Sequence, residues 1–261
     1  MRIFIAVDME GISGICLPEQ VDRSNPLHQE ARRYMLWDTN ACVEGCFEGG
    51  ASHVAVWDAH STGHNMPWDQ ADPRAELWQG SGDEARLQDI GEYDALILLG
   101  YHARAGTQKA ILDHTISAKG WQNCWINGRL AGEFAIDAGI AGDAGVPTIM
   151  TSGDDKLCRE AREWVPNIHA AQVKTARSMF GARFLGKDAA HKLIRETAAR
   201  ACRERKKIKP LVHKKPVRLR LELVERQRVP NLHAALPHLK QIDGRTYEVT
   251  GATVAEALAR L

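Results

Sequence analysis

The sequence predicts an α/β fold: a mostly parallel sheet flanked by helices, with a smaller C-terminal α+β domain. The first observation is a series of short, nearly continuous apolar runs, rich in β-branched and aliphatic residues, which is typical of strands covered on both faces. The second is that helix-like segments lie between several of these runs, and such alternation favours a parallel sheet. The third is a change of pattern in the last third of the chain, where a long helix precedes short strands and helices.

Apolar runs and helix signals predict the elements of the first part of the chain. The predicted strands are Ile3–Val7, His53–Trp57, Ala95–Leu99, Val146–Thr151 and a weaker run, Cys124–Ile126. The predicted helices are residues 27–48, 131–142 and 154–163. The first helix is expected to stop at Gly49 and Gly50, because glycine adopts the backbone conformation that commonly ends a helix.

The last third of the chain predicts a small unit of its own. Its elements are a helix at 187–206, a strand at 217–224, a polar helix near 229–236, a strand at 246–250 and a helix at 252–261. We therefore divide the chain into an α/β domain of residues 1–180, which carries the candidate site, and an α+β domain of residues 181–261.

Composition and charge are those of an ordinary globular protein. The 261 residues include 34 Lys and Arg against 33 Asp and Glu, a formal net charge of +1, which gives no overall field for nucleic acid or anionic lipid. No apolar run reaches the ~18 residues of a membrane-spanning helix. The six cysteines are scattered and form no Cys-x-x-Cys pair. We expect buried free thiols, a cytoplasmic location, and neither nucleic acid nor membrane as a partner.

Acidic residues and histidines follow the ends of the predicted strands. Asp8 and Glu10 follow the first strand, and His60 and His102 follow the next two. Glu133 comes shortly after the weaker fifth run. Ligands of open parallel sheets bind outside the carboxyl ends of the strands, so these side chains are expected at one edge. Two imidazoles and three carboxylates are a ligand set for zinc, manganese or a related divalent ion.

The charge of this set favours two metal ions rather than one. Residues i and i+2 of an extended chain point the same way, so Asp8 and Glu10 can face one site together. Two divalent cations balance three carboxylates and one hydroxide, which makes a partly buried cluster neutral. Each residue alone also has a structural interpretation, as a cap, a surface acid or a hydrogen-bonded histidine. The convergence of several strand ends favours the metal site.

The segments around these residues match a known family in order and at similar spacing. They are Val7-Asp8-Met9-Glu10-Gly11-Ile12-Ser13-Gly14, Asp58-Ala59-His60-Ser61, Gly100-Tyr101-His102-Ala103-Arg104-Ala105, Ile126-Asn127 to Gly132-Glu133, and Gly153-Asp154-Asp155. Together they resemble the zinc-dependent D-aminopeptidases encoded beside dipeptide-transport genes.

The resemblance implies a dinuclear zinc metallo-aminopeptidase that removes N-terminal residues, D-amino acids by default, from short peptides such as D-Ala-D-Ala. It implies two Zn²⁺ per chain, both bridged by Asp8. Glu10 and His102 would bind one zinc ion, and His60 and Glu133 the other. It also implies a large homo-oligomer, a decameric double ring around an inner chamber.

The family also has a catalytic histidine, for which the candidate here is His114. Its role stays open between oxyanion stabiliser, proton shuttle and nucleophile. The spacing from His102 is one residue longer than in the family pattern, and Thr115-Ile116 replaces a Ser-Met pair. This departure affects the substrate preference more than the metal site.

Three features near these motifs carry further expectations. Asp58 is expected to hold a ligating histidine in place. Arg104 is expected to meet either a substrate carboxylate or a neighbouring acid. Residues 103–122 have little apolar pattern and are expected to form a loop over the site.

Other functions fit parts of the sequence. An L-specific aminopeptidase with the same metals is the main alternative, because stereoselectivity depends on the shape of the pocket around the α-carbon. Asp58-Ala59-His60 is also the Asp-x-His motif of dinuclear phosphoesterases, although the later Gly-Asn-His block of those enzymes is missing from the sequence. Residues 200–220 hold ten Lys or Arg and one Glu. Such a run can contact nucleic acid, but it also fits the solvated basic end of a helix.

Overall fold

Two sheets and their flanking helices make up the fold. A computed structural model describes residues 1–80, 85–225 and 238–261. The strands, numbered along the chain, are β1 (Arg2–Val7), β2 (His53–Asp58), β3 (Glu76–Trp78), β4 (Ala95–Leu99), β5 (Trp121–Ile126), β6 (Arg129–Ala131), β7 (Thr148–Asp154), β8 (His169–Ser178), β9 (Gly181–Phe184), β10 (Val217–Leu223), β11 (Leu239–Gln241) and β12 (Thr246–Gly251). The α-helices are α1 (Pro18–Val21), α2 (His28–Glu48), α3 (Glu133–Asp143), α4 (Asp155–Trp164), α5 (Lys187–Glu204) and α6 (Val254–Leu258).

The larger sheet has seven strands in the order β3-β2-β1-β4-β7-β8-β9. Neighbouring strands are parallel except β8 and β9, which pair in the antiparallel sense. Every residue of β4 and β7 is buried, as is β1 beyond Arg2, which explains their unbroken apolar character. The predicted fold class, a mostly parallel sheet flanked by helices, is confirmed.

Four of the five predicted runs are strands of this larger sheet, namely β1, β2, β4 and β7. The fifth, Cys124–Ile126, lies in β5 and pairs antiparallel with β10 in the second sheet. Its expected place beside the parallel strands was therefore wrong. A three-residue apolar run shows that a segment is buried but not which strand it pairs with.

The second sheet has five strands in the order β11-β12-β10-β5-β6, and all neighbours are antiparallel. It combines β5 and β6, which precede residue 180, with β10, β11 and β12, which follow it. The division of the chain into 1–180 and 181–261 stays a prediction. The polar helix expected near 229–236 falls outside the described residues.

The predicted helices at 27–48, 131–142, 154–163 and 187–206 correspond to α2, α3, α4 and α5. α2 and α5 pack closely, since a Cβ on Gly45 would lie 2.9 Å from the Cβ of Ala198. All six cysteines are free and five of them are buried, as expected. Within the described part of the chain, no helix is long and apolar enough to cross a membrane.

Candidate metal centre

The five predicted metal ligands come together beside the carboxyl ends of the parallel strands. Asp8 directly follows β1, His60 follows β2, and His102 follows β4. Glu133 arrives from the second sheet as the first residue of α3, where the helix dipole favours a negative charge. None of these residues, nor Glu10, is more than 8% exposed. The convergence expected from the strand ends is therefore present.

The turn after β1 is held against the turn after β4 by backbone hydrogen bonds. Asp8 N donates to Leu99 O at 2.9 Å, and Gly11 N donates to Gly100 O at 2.7 Å. A Cβ on Gly11 would overlap the carbonyl of Tyr101. Glycine at this position therefore allows the close approach that places Asp8 and Glu10 beside the β4 turn.

The candidate ligand atoms form two groups, Asp8-Glu10-His60 and His102-His114-Glu133, and the atoms of each group lie within 4.8 Å of one another. His60 Nδ1 is 3.2 Å from both Asp8 Oδ1 and Glu10 Oε2. His102 Nε2 is 3.3 Å from Asp8 Oδ2 and 3.2 Å from Glu133 Oε1. The two oxygens of Asp8 thus face different groups, as a bridging ligand requires.

The grouping differs from the pairing that the resemblance implies. Glu10 lies beside His60, whereas the resemblance pairs it with His102. Glu133 lies beside His102 and His114, whereas the resemblance pairs it with His60. The implied pairing of ligands around each ion stays a prediction.

Each of the three histidines pairs one ring nitrogen with a backbone carbonyl and turns the other toward the carboxylates. The pairs are His60 Nε2 with Val21 O at 3.2 Å, His102 Nδ1 with Ala103 O at 3.0 Å, and His114 Nδ1 with Leu112 O at 2.9 Å. This is the usual arrangement of a metal-binding histidine, because the carbonyl fixes the tautomer and the orientation of the ring.

Buried polar atoms at the centre of the cluster have no hydrogen bond. Among the described residues these include Asp8 Oδ2, Glu10 Oε2 and His102 Nε2. Most buried polar atoms in proteins are hydrogen-bonded, so convergent exceptions call for an explanation. A bound divalent cation would explain these unpaired atoms, since carboxylate oxygens and imidazole nitrogens are ligands of zinc.

Strong electrostatic coupling links the histidines to the carboxylates. Burial alone would lower the pKa of His60, but the charge of Glu10 and the hydrogen bond with Asp8 raise that pKa well above 6.5. Burial would likewise lower the pKa of His102, but the negative charges of Glu133 and Asp8 raise it well above 6.5. Burial would raise the pKa of Glu133, but His102 lowers it to about 2. The carboxylates therefore favour positive charge at the point where a metal ion would bind.

His114 lies at the more open side of the cluster. Its side chain is 17% exposed, and its Nε2 is 3.6 Å from Glu133 Oε1. The segment that carries it was expected to be a loop over 103–122, and it has no helix or strand over 103–120, whereas Trp121 and Gln122 begin β5. Ile116 N donates to Glu133 Oε1 at 2.7 Å, so this loop is attached to the site itself.

Comparison with known proteins identifies the family. The model of the family Peptidase_M55, D-aminopeptidase, matches residues 1–261. The chain belongs to this family. A D-aminopeptidase of Bacillus subtilis (strain 168) is 34% identical over 215 residues, which cover 81% of this chain and 77% of that protein.

The structural comparison agrees. The Zn-dependent D-aminopeptidase DppA from Bacillus subtilis, known as a self-compartmentalizing protease, has a TM-score of 0.94 and 29% sequence identity. The match covers 100% of this chain and 95% of that one. Membership of the M55 family confirms the resemblance seen in the motifs and the predicted class of enzyme, a metallo-aminopeptidase.

Asp58 and Arg104 of this M55 peptidase both form hydrogen bonds within the protein. Asp58 accepts from the backbone N of His60 at 3.3 Å and from Asn65 N at 2.6 Å, so it stabilises the turn after β2. The imidazole of His60 pairs instead with the carbonyl of Val21. Asp58 thus holds His60 through its backbone rather than through its ring. The backbone N of Arg104 donates to Glu160 Oε2 at 2.9 Å, and its guanidinium donates to Ala105 O at 3.2 Å. The choice between a substrate carboxylate and a neighbouring acid for this side chain stays a prediction.

Val173-Lys174 also matches the family, more weakly than the other motifs, but the sequence assigns no role to Lys174, a buried residue of β8. Its Nζ donates to the carbonyls of Glu10 at 2.6 Å, Ile12 at 2.9 Å and Ile15 at 2.6 Å. Burial lowers the pKa of Lys174 to about 8. One ammonium group thereby holds the whole turn that carries Asp8 and Glu10. The available signal was a single lysine next to the apolar Val173 in a buried strand.

Proposed function

We propose that this M55 peptidase is a dinuclear zinc aminopeptidase that releases N-terminal D-amino acids from short peptides such as D-Ala-D-Ala. The observation that carries the proposal is the pair of buried histidine–carboxylate groups shared by Asp8, whose two oxygens face different histidines. The names of the relatives, D-aminopeptidase and Zn-dependent D-aminopeptidase, support the D-substrate and the metal.

We assign two Zn²⁺ to the five buried ligands Asp8, Glu10, His60, His102 and Glu133. The unpaired atoms at the centre of the cluster and its surplus of carboxylates support this assignment. Bound zinc supplies Lewis-acid polarisation of a carbonyl and lowers the pKa of water. The carboxylates of Glu10 and Glu133 also favour the positively charged amino terminus of a peptide at this edge of the sheet.

His114 is the proposed catalytic residue. Its Nδ1 is held by the carbonyl of Leu112, so Nε2 is the atom that exchanges a proton. That atom faces Glu133 at the exposed side of the cluster, where a peptide can enter. From this position the imidazole can stabilise the tetrahedral oxyanion or donate a proton to the departing amine.

We further propose a cytoplasmic homo-oligomer, with the decameric ring of the resemblance as its form. The β8–β9 hairpin and the residue after it expose four large apolar side chains: Met179 (44%), Phe180 (52%), Phe184 (38%) and Leu185 (42%). Exposed apolar side chains grouped in this way mark contact surfaces. The self-compartmentalizing relative supports assembly, and the free cysteines support a reducing compartment.

A stereochemical assay tests the proposed activity. Zinc-loaded and chelator-treated protein is incubated with D-Ala-D-Ala and L-Ala-L-Ala, and the released alanine is measured, with His60→Ala as the inactive control. The proposal predicts zinc-dependent release from the D-dipeptide. Release from the L-dipeptide alone would show an L-aminopeptidase, and no release from either would reject the dipeptidase activity.

A further inference from the structure

A charge cluster with two buried carboxylates and the partly buried Arg86 lies behind Glu133, on the side away from the histidines. Arg86 donates from Nε to Asp137 Oδ1 at 2.5 Å and from Nη2 to Asp137 Oδ2 at 2.8 Å. The same Nη2 lies 3.6 Å from Glu133 Oε2. Tyr101 Oη donates to Asp137 Oδ2 at 2.5 Å. Arg86 therefore lies between the two carboxylates.

The spacing of the two acids explains why a cation is needed there. Glu133 and Asp137 are four residues apart on α3, so they lie on one face of the helix. Asp137 is 0% exposed and Glu133 is 7% exposed. Two adjacent buried carboxylates repel each other and disfavour ionisation. The guanidinium of Arg86 offsets this repulsion, and its planar fork fits Asp137 through two hydrogen bonds.

The two oxygens of Glu133 have different surroundings. Oε1 accepts from the backbone N of Ile116 at 2.7 Å and lies 3.2 Å from His102 Nε2. Oε2 faces Arg86. The carboxylate is thus held at both ends, with one oxygen toward the histidines and the other toward the guanidinium.

Arg86 is itself fixed from several directions. Asp137 binds it through two hydrogen bonds, and Tyr101, which is 0% exposed, holds Asp137 in turn. The guanidinium also lies over the ring of Trp57, with its central carbon 5.3 Å from the ring centroid. Because Arg86 is fixed in this way, it can in turn fix the position of the Glu133 carboxylate.

We propose that Arg86 is a positioning residue for Glu133: it holds Oε2 so that Oε1 is presented to the metal site. Asp137 and Tyr101 fix Arg86 for this task. The inference rests on the proposed function, because it requires Glu133 to be a zinc ligand. It predicts that the loss of Arg86 weakens zinc binding even though Arg86 does not touch the metal.

The first test measures zinc affinity by competition with a chromogenic chelator, starting from metal-free protein. Removing a residue that orients a ligand typically lowers metal affinity about 10–100-fold, and we expect this loss for at least one of the two zinc ions in Arg86→Met. Arg86→Lys should lose less, because lysine keeps the charge but lacks the planar fork. Arg74→Met is the matched control, since Arg74 pairs with Asp72 at the surface. An Arg86→Met affinity equal to that of the control would overturn the proposal.

A double-mutant cycle with Glu133→Gln separates positioning from a general structural role. If Arg86 acts through Glu133, adding Arg86→Met to Glu133→Gln changes the zinc affinity less than about 2-fold. The proposal would be contradicted if Arg86→Met lowered the zinc affinity as much in the Glu133→Gln background as in the wild-type protein. Circular dichroism of the metal-free variants checks folding, and Arg86→Lys serves in the cycle if Arg86→Met does not fold.

The controls distinguish this inference from the proposed function. If the wild-type protein binds zinc and cleaves the D-dipeptide while Arg86→Met binds zinc equally well, only the positioning role fails. If the wild-type protein binds no zinc, the proposed function fails and the role of Arg86 falls with it.

Discussion

The imidazole of His114 stacks on that of His102, with ring centroids 4.0 Å apart and an interplanar angle of 10°. Both rings direct Nε2 at the same oxygen, Glu133 Oε1, at 3.2 Å from His102 and 3.6 Å from His114. His102 is enclosed, whereas the side chain of His114 is 17% exposed. The stack thus places an accessible imidazole directly beside the proposed zinc ligands.

His114→Ala should abolish most of the activity and leave the metal content unchanged. Loss of a general acid–base group typically lowers kcat about 10²–10⁴-fold, and we expect a decrease in this range with D-Ala-D-Ala. Kinetics and zinc analysis of the same preparation check the prediction. Loss of one zinc ion from His114→Ala would instead make His114 a ligand, as its place in the second group of donor atoms allows.

Lys174→Met should destabilise the protein strongly. The substitution leaves the carbonyls of Glu10, Ile12 and Ile15 without their donor, and each unsatisfied buried group costs about 1–3 kcal/mol. We expect the free energy of unfolding, measured by urea denaturation, to fall by about 3 kcal/mol or more. The exposed Lys192 provides the control. Lys192→Met should change the free energy of unfolding by less than about 0.5 kcal/mol. Equal stability of the two variants would refute the role of Lys174 in holding this turn.

The stability of metal-free protein should depend on pH through the same cluster. The pKa values of His60 and His102 are raised, so their contribution to stability is full below pH 6.5 and is lost as pH rises through the raised values. The pKa of Glu133 is lowered from 4.5 to about 2, so its contribution is full above pH 4.5 and is lost as pH falls toward 2. The cluster therefore stabilises metal-free protein most between those limits of pH 4.5 and 6.5.

Bound zinc should offset the loss of stability at alkaline pH, because metal binding displaces the protons of His60 and His102. The increase in Tm caused by zinc should be larger at about pH 8 than at about pH 6. Thermal unfolding of metal-free and zinc-loaded protein at both pH values measures the difference. An increase in Tm that is the same at both would show that zinc binding does not displace protons from these histidines.

The β8–β9 hairpin should take part in self-association. Phe180→Ser replaces an exposed aromatic side chain and should lower the mass measured by light scattering, without changing the fold seen by circular dichroism. Val212→Ser, at an exposed apolar residue of the connector before β10, is the control and should leave the mass unchanged. A wild-type mass equal to that of a single chain would contradict the oligomer altogether.

Much of the site could be predicted because its residues follow strands with a clear local signal. β1, β2 and β4 are buried on both faces, so they appear as unbroken apolar runs, and the polar residues that follow them are easy to see. The position of Glu133 was also anticipated, although β5 before it belongs to the second sheet. The residues of the candidate metal centre were thus recognisable even where the strand pairing was not.

The residues that support the site were not predictable, because their roles depend on contacts far along the chain. Lys174 and Glu10 are 164 residues apart, and Arg86 and Asp137 are 51 residues apart. Arg86 belongs to no motif, and the weak match at Val173-Lys174 does not point at Glu10. The short strands β3, β6 and β11 have three residues each, too few for a periodic signal.

A zinc titration of metal-free protein tests the central claim most directly. Bound zinc and the release of D-alanine from D-Ala-D-Ala are measured together as zinc is added. The dinuclear site predicts binding that saturates at two zinc ions per chain and activity that reaches its maximum at the same point. Saturation at a single zinc ion, or cleavage that does not depend on added zinc, would contradict it.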